Sequence, residues 1–421
     1  MKKKVLVVPS GTEIGLEVER ALRYSENYEL IGANSIDDAS FFVFYKNKLG
    51  LPYVDKPEFS KFVIELVDKL DVDFVIPAHD SATLALSSVR DQLGATLICS
   101  DTKAVEIARS KLKTYETLKD AVRVPKVFHK ADHLYPVFIK PDVGQGSRGA
   151  FICHCPEDYK LINSGDIVCE YLPGEEYTVD CLNDKHGNLI YASPRIRLTM
   201  KNGISVSTRN IELTNEFKNF ALSISQKIKL KGAWFFQVKR DVNNELCLLE
   251  ISVRPAGSMA LSRMNGVNFI EESLLIHQGV DVDLIQQNFQ IIMHRPLNQY
   301  IKINIDFNTL YVEFDGCLLL DNKKLNPELI QLLVQALNKG KEIILLTRHR
   351  GDLAKALHKL RLSNFFDRVV HLDGDEPKSN HINKQCSIFI DDSFDERYEV
   401  YKNKGIPVFS LDAVTGLLHS L

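Results

Sequence analysis

Long apolar runs are missing from this chain of 421 residues; none reaches the length of a membrane-spanning helix. The apolar stretch 5–8 behind Met1-Lys2-Lys3-Lys4 is too short for a signal-peptide core, so a cytoplasmic location is expected. An excess of charge of one sign is also lacking. The 52 Lys and Arg nearly cancel the 55 Asp and Glu, leaving a net −3, which argues against nucleic-acid binding as the main task. Cysteine is scattered, with eight at 99, 153, 155, 169, 181, 247, 317 and 386. The close pair in Cys153-His154-Cys155 has no second pair after it, so these thiols read as small reduced hydrophobes rather than metal ligands. Residues 10–15, Ser-Gly-Thr-Glu-Ile-Gly, lack the three-glycine spacing of a dinucleotide fingerprint.

What is present is an ordinary globular composition, 45% apolar and 25% charged, in a chain long enough for two to four domains. Residues 1–102 alternate apolar strand runs (4–9, 28–34, 74–77, 96–99) with helical stretches (one ending at Tyr24, another over 59–70), the pattern of a parallel, Rossmann-like sheet. His79 and Asp80 end the third of these strands. Open α/β sheets place ligands there, and Asp80 is equally suited to cap the helix that follows; both readings stand.

The densest pattern lies in 137–180. An apolar strand, Val137-Phe138-Ile139-Lys140-Pro141, carries one lysine near its end. The loop Gly144-Gln145-Gly146-Ser147-Arg148-Gly149 follows, and its glycines let backbone N–H groups approach an anion closely. Then Glu170-Tyr171-Leu172-Pro173-Gly174-Glu175-Glu176 joins two strand-like runs through a Pro-Gly turn. Farther on, 232–241 and 246–255 form a hairpin around Asn243-Asn244. It carries Gln237 on one arm and Glu250-Ile251-Ser252-Val253-Arg254-Pro255 on the other. Residues 250 and 252 share a strand face, as two ligands of one ion must.

This order resembles the nucleotide site of the ATP-grasp superfamily, closest to its carbamoyl-phosphate-synthase-like carboxylate–amine ligases. The resemblance implies a pre-ATP-grasp domain over 1–102 and an ATP-grasp domain over 103–299 with a lid at about 118–185. It also implies ATP and Mg²⁺ (or Mn²⁺) as cofactors. Lys111, in Ser110-Lys111-Leu112-Lys113-Thr114, and Lys140 would meet the phosphates, and Gly144, Gly146 and Ser147 would cradle them. Glu170 and the backbone to Leu172 would hold the adenine, and Glu176 the ribose. Gln237, Glu250 and Ser252 would hold the metal, with Ser252 standing where the family has Asn. Arg254 would contact the transferring phosphoryl group. Arg195 and Arg197, alternate residues of one strand, would grip a carboxylate or acyl phosphate.

Residues 300–421 resemble a haloacid-dehalogenase-like (HAD-like) hydrolase, a third, Rossmannoid domain. Glu313-Phe314-Asp315-Gly316 stands where that family reads Asp-x-Asp-Gly, Thr347 ends a strand, Lys378 follows by spacing, and Asp391-Asp392 end another. Glu313 takes the place of the nucleophilic Asp. One extra methylene moves the carboxylate by about 1.5 Å, so an impaired phosphatase is expected. The overall fold class is therefore α/β and α+β. The implied activity joins a small carboxylate to an amine through an acyl phosphate, without nucleic acid or membrane as partner and with a homodimer left open. Two alternatives remain: a phosphatase of a small phosphorylated metabolite, and a non-catalytic ATP-binding regulator.

Overall fold

The computed structural model describes residues 1–128, 135–144, 146, 148–201, 204–295, 300–301, 303–321, 323–383 and 385–418. It divides into two compact units, Met1–Leu297 and Asn298–Leu421.

The first unit opens with β1 (Lys3–Val8), α1 (Glu13–Leu22), β2 (Tyr28–Asn34), α2 (Ser40–Val43), β3 (Lys46–Leu49), α3 (Glu58–Leu70), β4 (Phe74–Pro77), α4 (Asp80–Ser87) and β5 (Thr96–Leu97). Its strands pair in parallel in the order β3-β2-β1-β4-β5. Val5, Leu6, Val7 and Val8 are all buried because helices cover both faces of β1. Thr12 caps α1 by accepting from the Gly15 N–H at 3.0 Å. A Cβ at Gly15 would stand 2.4 Å from the Ser10 carbonyl oxygen, so only glycine fits that close approach. Strand β3 was not expected: Lys-Asn-Lys-Leu has no apolar alternation, and its exposed lysines suit a protected sheet edge.

Helices α5 (Thr102–Arg109) and α6 (Lys111–Leu118) lead into a small antiparallel sheet. It contains β6 (Val127–Phe128), β7 (Val137–Pro141), β8 (Phe151–Cys153) and β9 (Asp166–Glu170), in the order β6-β9-β7-β8. A large antiparallel sheet follows, built from β10 (Glu176–Asn183), β11 (Leu189–Lys201), β12 (Ile204–Asn210), β13 (Gly232–Arg240), β14 (Leu246–Ser252) and β15 (Ile292–His294). Its order is β14-β13-β10-β11-β12-β15, and α7 (Asn215–Lys227), α8 (Ala260–Met264) and α9 (Phe269–His277) accompany it. Within the span expected for a lid, about 118–185, residues 176–183 form a central strand of the large sheet, where near-continuous burial holds β10.

Alternation along β13 sets the faces of this sheet. Trp234 and Phe236 are fully buried, and Phe236 stacks on Phe220 of α7 with centroids 5.4 Å apart. Phe235, Gln237 and Lys239 therefore point to the other face. The β13–β14 turn is fixed by Asp241, which accepts from the Asn243 and Glu245 N–H groups, and by Asn244 at φ 64°.

The second unit is a parallel sheet in the order β20-β19-β16-β21-β22. Its strands are β16 (Thr309–Val312), β19 (Glu342–Thr347), β20 (Arg368–His371), β21 (Ser387–Ile390) and β22 (Val408–Phe409). A two-stranded hairpin, β17 (Leu319–Leu320) and β18 (Lys324–Leu325), follows β16. Helices α10 (Pro327–Asn338), α11 (Leu353–Lys359), α12 (Phe394–Lys404) and α13 (Val414–Leu418) complete it.

Candidate functional site

Antiparallel register lines up one row of side chains across the large sheet. Glu250 lies opposite Gln237, Gln237 opposite Thr178, and Thr178 opposite Arg195. One step along, Ser252 lies opposite Phe235, and Phe235 opposite Asp180. The period of two puts all of these on the face away from α7. All but Asp180 border a cavity of about 410 Å³ whose walls also include Asp80, Lys111, Gly144, Gly146, Arg197 and Arg254. A hollow of about 70 Å³ is lined by Lys140, Glu170, Leu172 and Glu176 with Phe138, Tyr171 and Leu249. Of the nucleotide and metal residues expected in the first unit, Ser147 alone lies outside the described residues.

Local folding explains how the cations arrive. Ser110 caps α6 by accepting from the Lys113 N–H at 3.2 Å. The Asp142 carboxylate accepts from the Ser110 hydroxyl (2.8 Å) and the Leu112 N–H (2.7 Å), tying that cap to the end of β7. Lys111 consequently stands at the first helical position, its Nζ 3.9 Å from Glu250 Oε2. Lys140 is almost fully buried and donates to the Tyr115 hydroxyl at 2.7 Å, which in turn donates to the Leu249 carbonyl at 2.8 Å. Burial pulls the Lys140 ammonium below its usual pKa. The loop between β7 and β8 turns through Gly146 and Gly149 at φ 60° and 74°.

Several expected ligand-binding side chains are instead held by protein partners. Glu170 accepts from Arg123 at 2.6 Å and from the Lys126 N–H at 3.2 Å. Its carboxylate is thereby anchored by protein donors. Glu176 is ion-paired with Arg197, which also donates to Gln237 Oε1 at 3.2 Å. Arg195 is bidentate on Asp180, at 2.8 and 3.2 Å, with both groups buried. The sequence offered a signal for Asp180, since 176, 178 and 180 share one strand face, but not for its partner.

Asp80 does not cap the helix that follows it, and it lies on the cavity wall at the end of β4. His79 caps α4, accepting from the Ser81 N–H at 3.2 Å. The Asp80 carboxylate crosses to Arg254 and Ser252 on the β14 side, a connection no local motif announces.

Gln237 and Glu250 offer hard oxygens from directly opposed positions, a donor set that fits Mg²⁺. The Ser252 hydroxyl donates to Asp80, which leaves its oxygen lone pairs free for an ion. Thr178 Oγ1 is buried beside this row with no hydrogen-bond partner among the described residues.

In the second unit, Glu313, Asp315, Lys378, Asp391 and Asp392 border a cavity of about 850 Å³, at the C-terminal ends of β16 and β21. Thr347, at the end of β19, is buried behind them and donates to Glu313 Oε1. The same oxygen accepts from the Phe314 and Asp315 N–H groups at 2.7 and 3.2 Å, and Glu313 Oε2 pairs with Lys378. Lys378 also donates to Asp391 at 2.6 Å. Burial outweighs that lysine and pushes the Asp391 carboxyl up to about 6. Asp315 pairs with His349 Nδ1 at 2.9 Å, a contact no local motif announces. Gly316 has φ 71°, and a Cβ there would stand 2.3 Å from Asp392 Oδ2.

Residues 165–299 match the family model described as ATP-grasp in the biosynthetic pathway with Ter operon. The chain is 32% identical over 157 residues to the D-alanine–D-alanine ligase of Thermotoga petrophila, covering 33% of this chain and 52% of the ligase. It is 25% identical over 244 residues to the 3-methyl-D-ornithine–L-lysine ligase of Methanosarcina acetivorans, covering 56% of this chain and 66% of that one. The chain thus spans about half to two-thirds of the length of these relatives. Among solved structures, the biotin carboxylase domain of Hydrogenobacter thermophilus 2-oxoglutarate carboxylase superposes with a TM-score of 0.60 at 19% identity, over 69% of this chain and 74% of that one. The N5-carboxyaminoimidazole synthetase of Staphylococcus aureus gives 0.57 at 18%, over 70% and 83%. At such identities the likeness establishes the fold, a mixed α/β ATP-grasp fold. No helix among the described residues is long and apolar enough to cross a membrane.

Proposed function

We propose that the first unit is an ATP-dependent carboxylate–amine ligase that works through an acyl phosphate. The observation that carries this reading is the convergence of Lys111, Gln237, Glu250 and Arg254 around one cavity, beside the glycine loop. In the first step a substrate carboxylate oxygen attacks the γ-phosphorus of ATP, and the bond to the β-phosphate oxygen breaks, releasing ADP. In the second step an amine attacks the acyl carbon, phosphate leaves, and the nitrogen loses a proton to give the amide.

Lys111 and Lys140 neutralise the phosphates, and the N–H groups of Gly144 and Gly146 cradle them. Gln237, Glu250 and Ser252 would hold Mg²⁺, which supplies charge neutralisation at the phosphate oxygens when bound. The backbone from Glu170 to Leu172 takes the base. That hollow is small, in keeping with a lid sheet that moves as nucleotide binds and then excludes water from the acyl phosphate. Arg254 serves the transferring phosphoryl group. Because Arg195 and Arg197 are already paired, their part is to orient Asp180, Glu176 and Gln237 unless a substrate displaces those partners. Both named relatives join amino acids, which supports amino-acid substrates here, and an ATP-dependent ligation suits the cytoplasm.

On this reading residues 1–102 are the pre-ATP-grasp domain and 103–299 the ATP-grasp domain. We assign 300–421 as HAD-like on the placement of Glu313, Thr347 and Asp391 at parallel strand ends with Lys378 between two of them, and phosphatase activity is impaired because both Glu313 oxygens already hold protein partners.

The test is ADP release from the purified chain with Mg²⁺ and ATP against pooled amino acids and small carboxylates. Release that depends on the pool and falls by on the order of a hundredfold in Glu250→Ala is expected. ATP binding without turnover in any pool would favour a regulator instead.

A further inference from the structure

The strand order of the second unit, β20-β19-β16-β21-β22, changes direction between β16 and β21, and its cavity of about 850 Å³ lies at the C-terminal ends of those two strands. Open parallel sheets take ligands at such a switch point, and a cavity of this size suits a whole small molecule rather than one phosphate. The charges that line it are unevenly paired. Lys378 takes Glu313 and Asp391, Arg348 takes Glu396 at 2.9 Å, and His349 takes Asp315. Arg348 also donates to the Gly374 and Glu376 carbonyl oxygens. Three further lining cations, Lys323, Arg350 and Lys359, have no carboxylate as ion-pair partner among the described residues, against one lining carboxylate, Asp392, that has no cation.

These three cations come from separate elements. Lys323 sits in the turn between β17 and β18, where its N–H donates to the Leu320 carbonyl at 3.0 Å. Arg350 lies in the loop after β19, and Lys359 ends α11. A lysine at a helix C-terminus already serves the helix dipole. A turn lysine and a loop arginine that reach the same cavity have no such local reason. All three are exposed and form a rim, whereas Glu313, Lys378 and Asp391 are buried at the floor.

We propose that Lys323, Arg350 and Lys359 bind an anionic group of a small ligand whose phosphate sits at the strand ends. The ligand of the second unit is then a phosphorylated molecule with at least one further anionic group, a carboxylate or a second phosphate, rather than a phosphate ester of a neutral alcohol. The phosphate at the floor rests on the HAD-like reading, whereas the further anion rests on the three unpaired cations. No bond forms or breaks at the rim. Its contribution is affinity, and because the rim is exposed that contribution weakens with salt.

The experiment is calorimetric titration of the full chain in Mg²⁺ with three probes on one carbon skeleton: glycerol 3-phosphate, 3-phosphoglycerate and 2,3-bisphosphoglycerate. Wild type is compared with the triple variant Lys323→Ser, Arg350→Ser, Lys359→Ser, so that any binding to the first unit cancels. At least one of the two more anionic probes should bind wild type about tenfold or more tighter than glycerol 3-phosphate. In the triple variant that preference falls to near unity, while the affinity for glycerol 3-phosphate changes by less than about threefold. Added salt should narrow the wild-type preference as well. A gain that begins with 3-phosphoglycerate marks a carboxylate, and one confined to the bisphosphate marks a second phosphate. Equal binding of all three probes to wild type, or a preference unchanged in the triple variant, overturns the rim and leaves the HAD-like reading. Rim-dependent binding of the two anionic probes with none of glycerol 3-phosphate sinks the phosphate at the floor and leaves the rim. No binding of any probe overturns both. Should the triple variant melt early, each single variant must still lower the preference, and three unchanged preferences also overturn the rim.

Discussion

Asp80 holds Arg254 through both carboxylate oxygens, Nε to Oδ1 at 2.8 Å and Nη2 to Oδ2 at 2.6 Å, while the Ser252 hydroxyl donates to Oδ1 at 2.8 Å. The Rossmann-like sheet thus reaches into the cavity of the antiparallel sheet and fixes the guanidinium fork. Burial alone would raise the Asp80 carboxyl, but the charge and hydrogen bonds of Arg254 outweigh it and bring it to about 2.

The first prediction follows from that pair. Asp80→Asn keeps the shape and removes the charge, leaving Arg254 without its anion. A carboxyl whose folded pKa lies below its unfolded value stabilises above the unfolded value, and that contribution fades as pH falls from near 4 toward 2. Above that window the variant should lose on the order of 2 kcal/mol. Denaturant unfolding at pH 7 and pH 2.5 checks it: the gap between wild type and variant should be wide at pH 7 and narrow at pH 2.5. Equal gaps at both would show that the ion pair is not what Asp80 contributes.

Lys140 gives the second prediction. It is a buried ammonium bonded to a tyrosine hydroxyl, with no carboxylate at ion-pair distance among the described residues. Burial disfavours its charged form, so this group destabilises the free protein and stability should recover as pH rises toward the usual lysine pKa. Lys140→Met should therefore raise the melting temperature of the ligand-free chain and abolish the further rise that Mg-ATP produces. Thermal scans with and without nucleotide test both halves. A variant that melts lower yet still responds to ATP would contradict the role proposed for this lysine.

How much of this was legible in the sequence depends on the range of each interaction. The β13–β14 hairpin was readable because Asn243-Asn244 sets the turn and the turn sets the register that opposes Gln237 to Glu250. The buried strands β1 and β4 were readable as apolar runs. Strand β3 was not, because an exposed edge needs no apolar pattern. The partner of Arg254 lies 174 residues away, and nothing near Asp80 points to it. The arginine pair at 195 and 197 shows the converse. Their shared face was evident from alternation, but whether each fork was free depended on Asp180 and Glu176 across the register.

The third prediction concerns Glu313. Its longer side chain carries the carboxylate back over its own loop, where Oε1 accepts from two backbone N–H groups and Thr347 while Oε2 holds Lys378. Both carboxylate oxygens thus already carry protein partners, Oε2 through Lys378. Glu313→Asp shortens the chain by one methylene, and geometric restoration of this order is worth up to about a hundredfold. Hydrolysis of p-nitrophenyl phosphate with Mg²⁺ should rise at least tenfold over wild type, on the same scale. An unchanged rate would mean that this residue alone does not limit the site.

Lys378 supplies the last prediction, on stability rather than rate. Its Nζ sits between two buried carboxylates, Glu313 and Asp391, and is itself almost inaccessible. The two acids raise its pKa against the opposing effect of burial. Removing the lysine leaves two like charges facing each other in a poorly solvated interior, the circumstance in which breaking a buried ion pair costs most, about 3–5 kcal/mol. Lys378→Met should therefore unfold the second unit at markedly lower denaturant. The loss should be larger at pH 8 than at pH 5, because a carboxyl that titrates near 6 takes up a proton at the lower pH and relieves the repulsion. Adding Glu313→Gln to Lys378→Met should recover part of the loss, so that the two effects are strongly non-additive. If they simply add, and the deficit is the same at both pH values, the three groups are not a charge network and Lys378 matters only for packing.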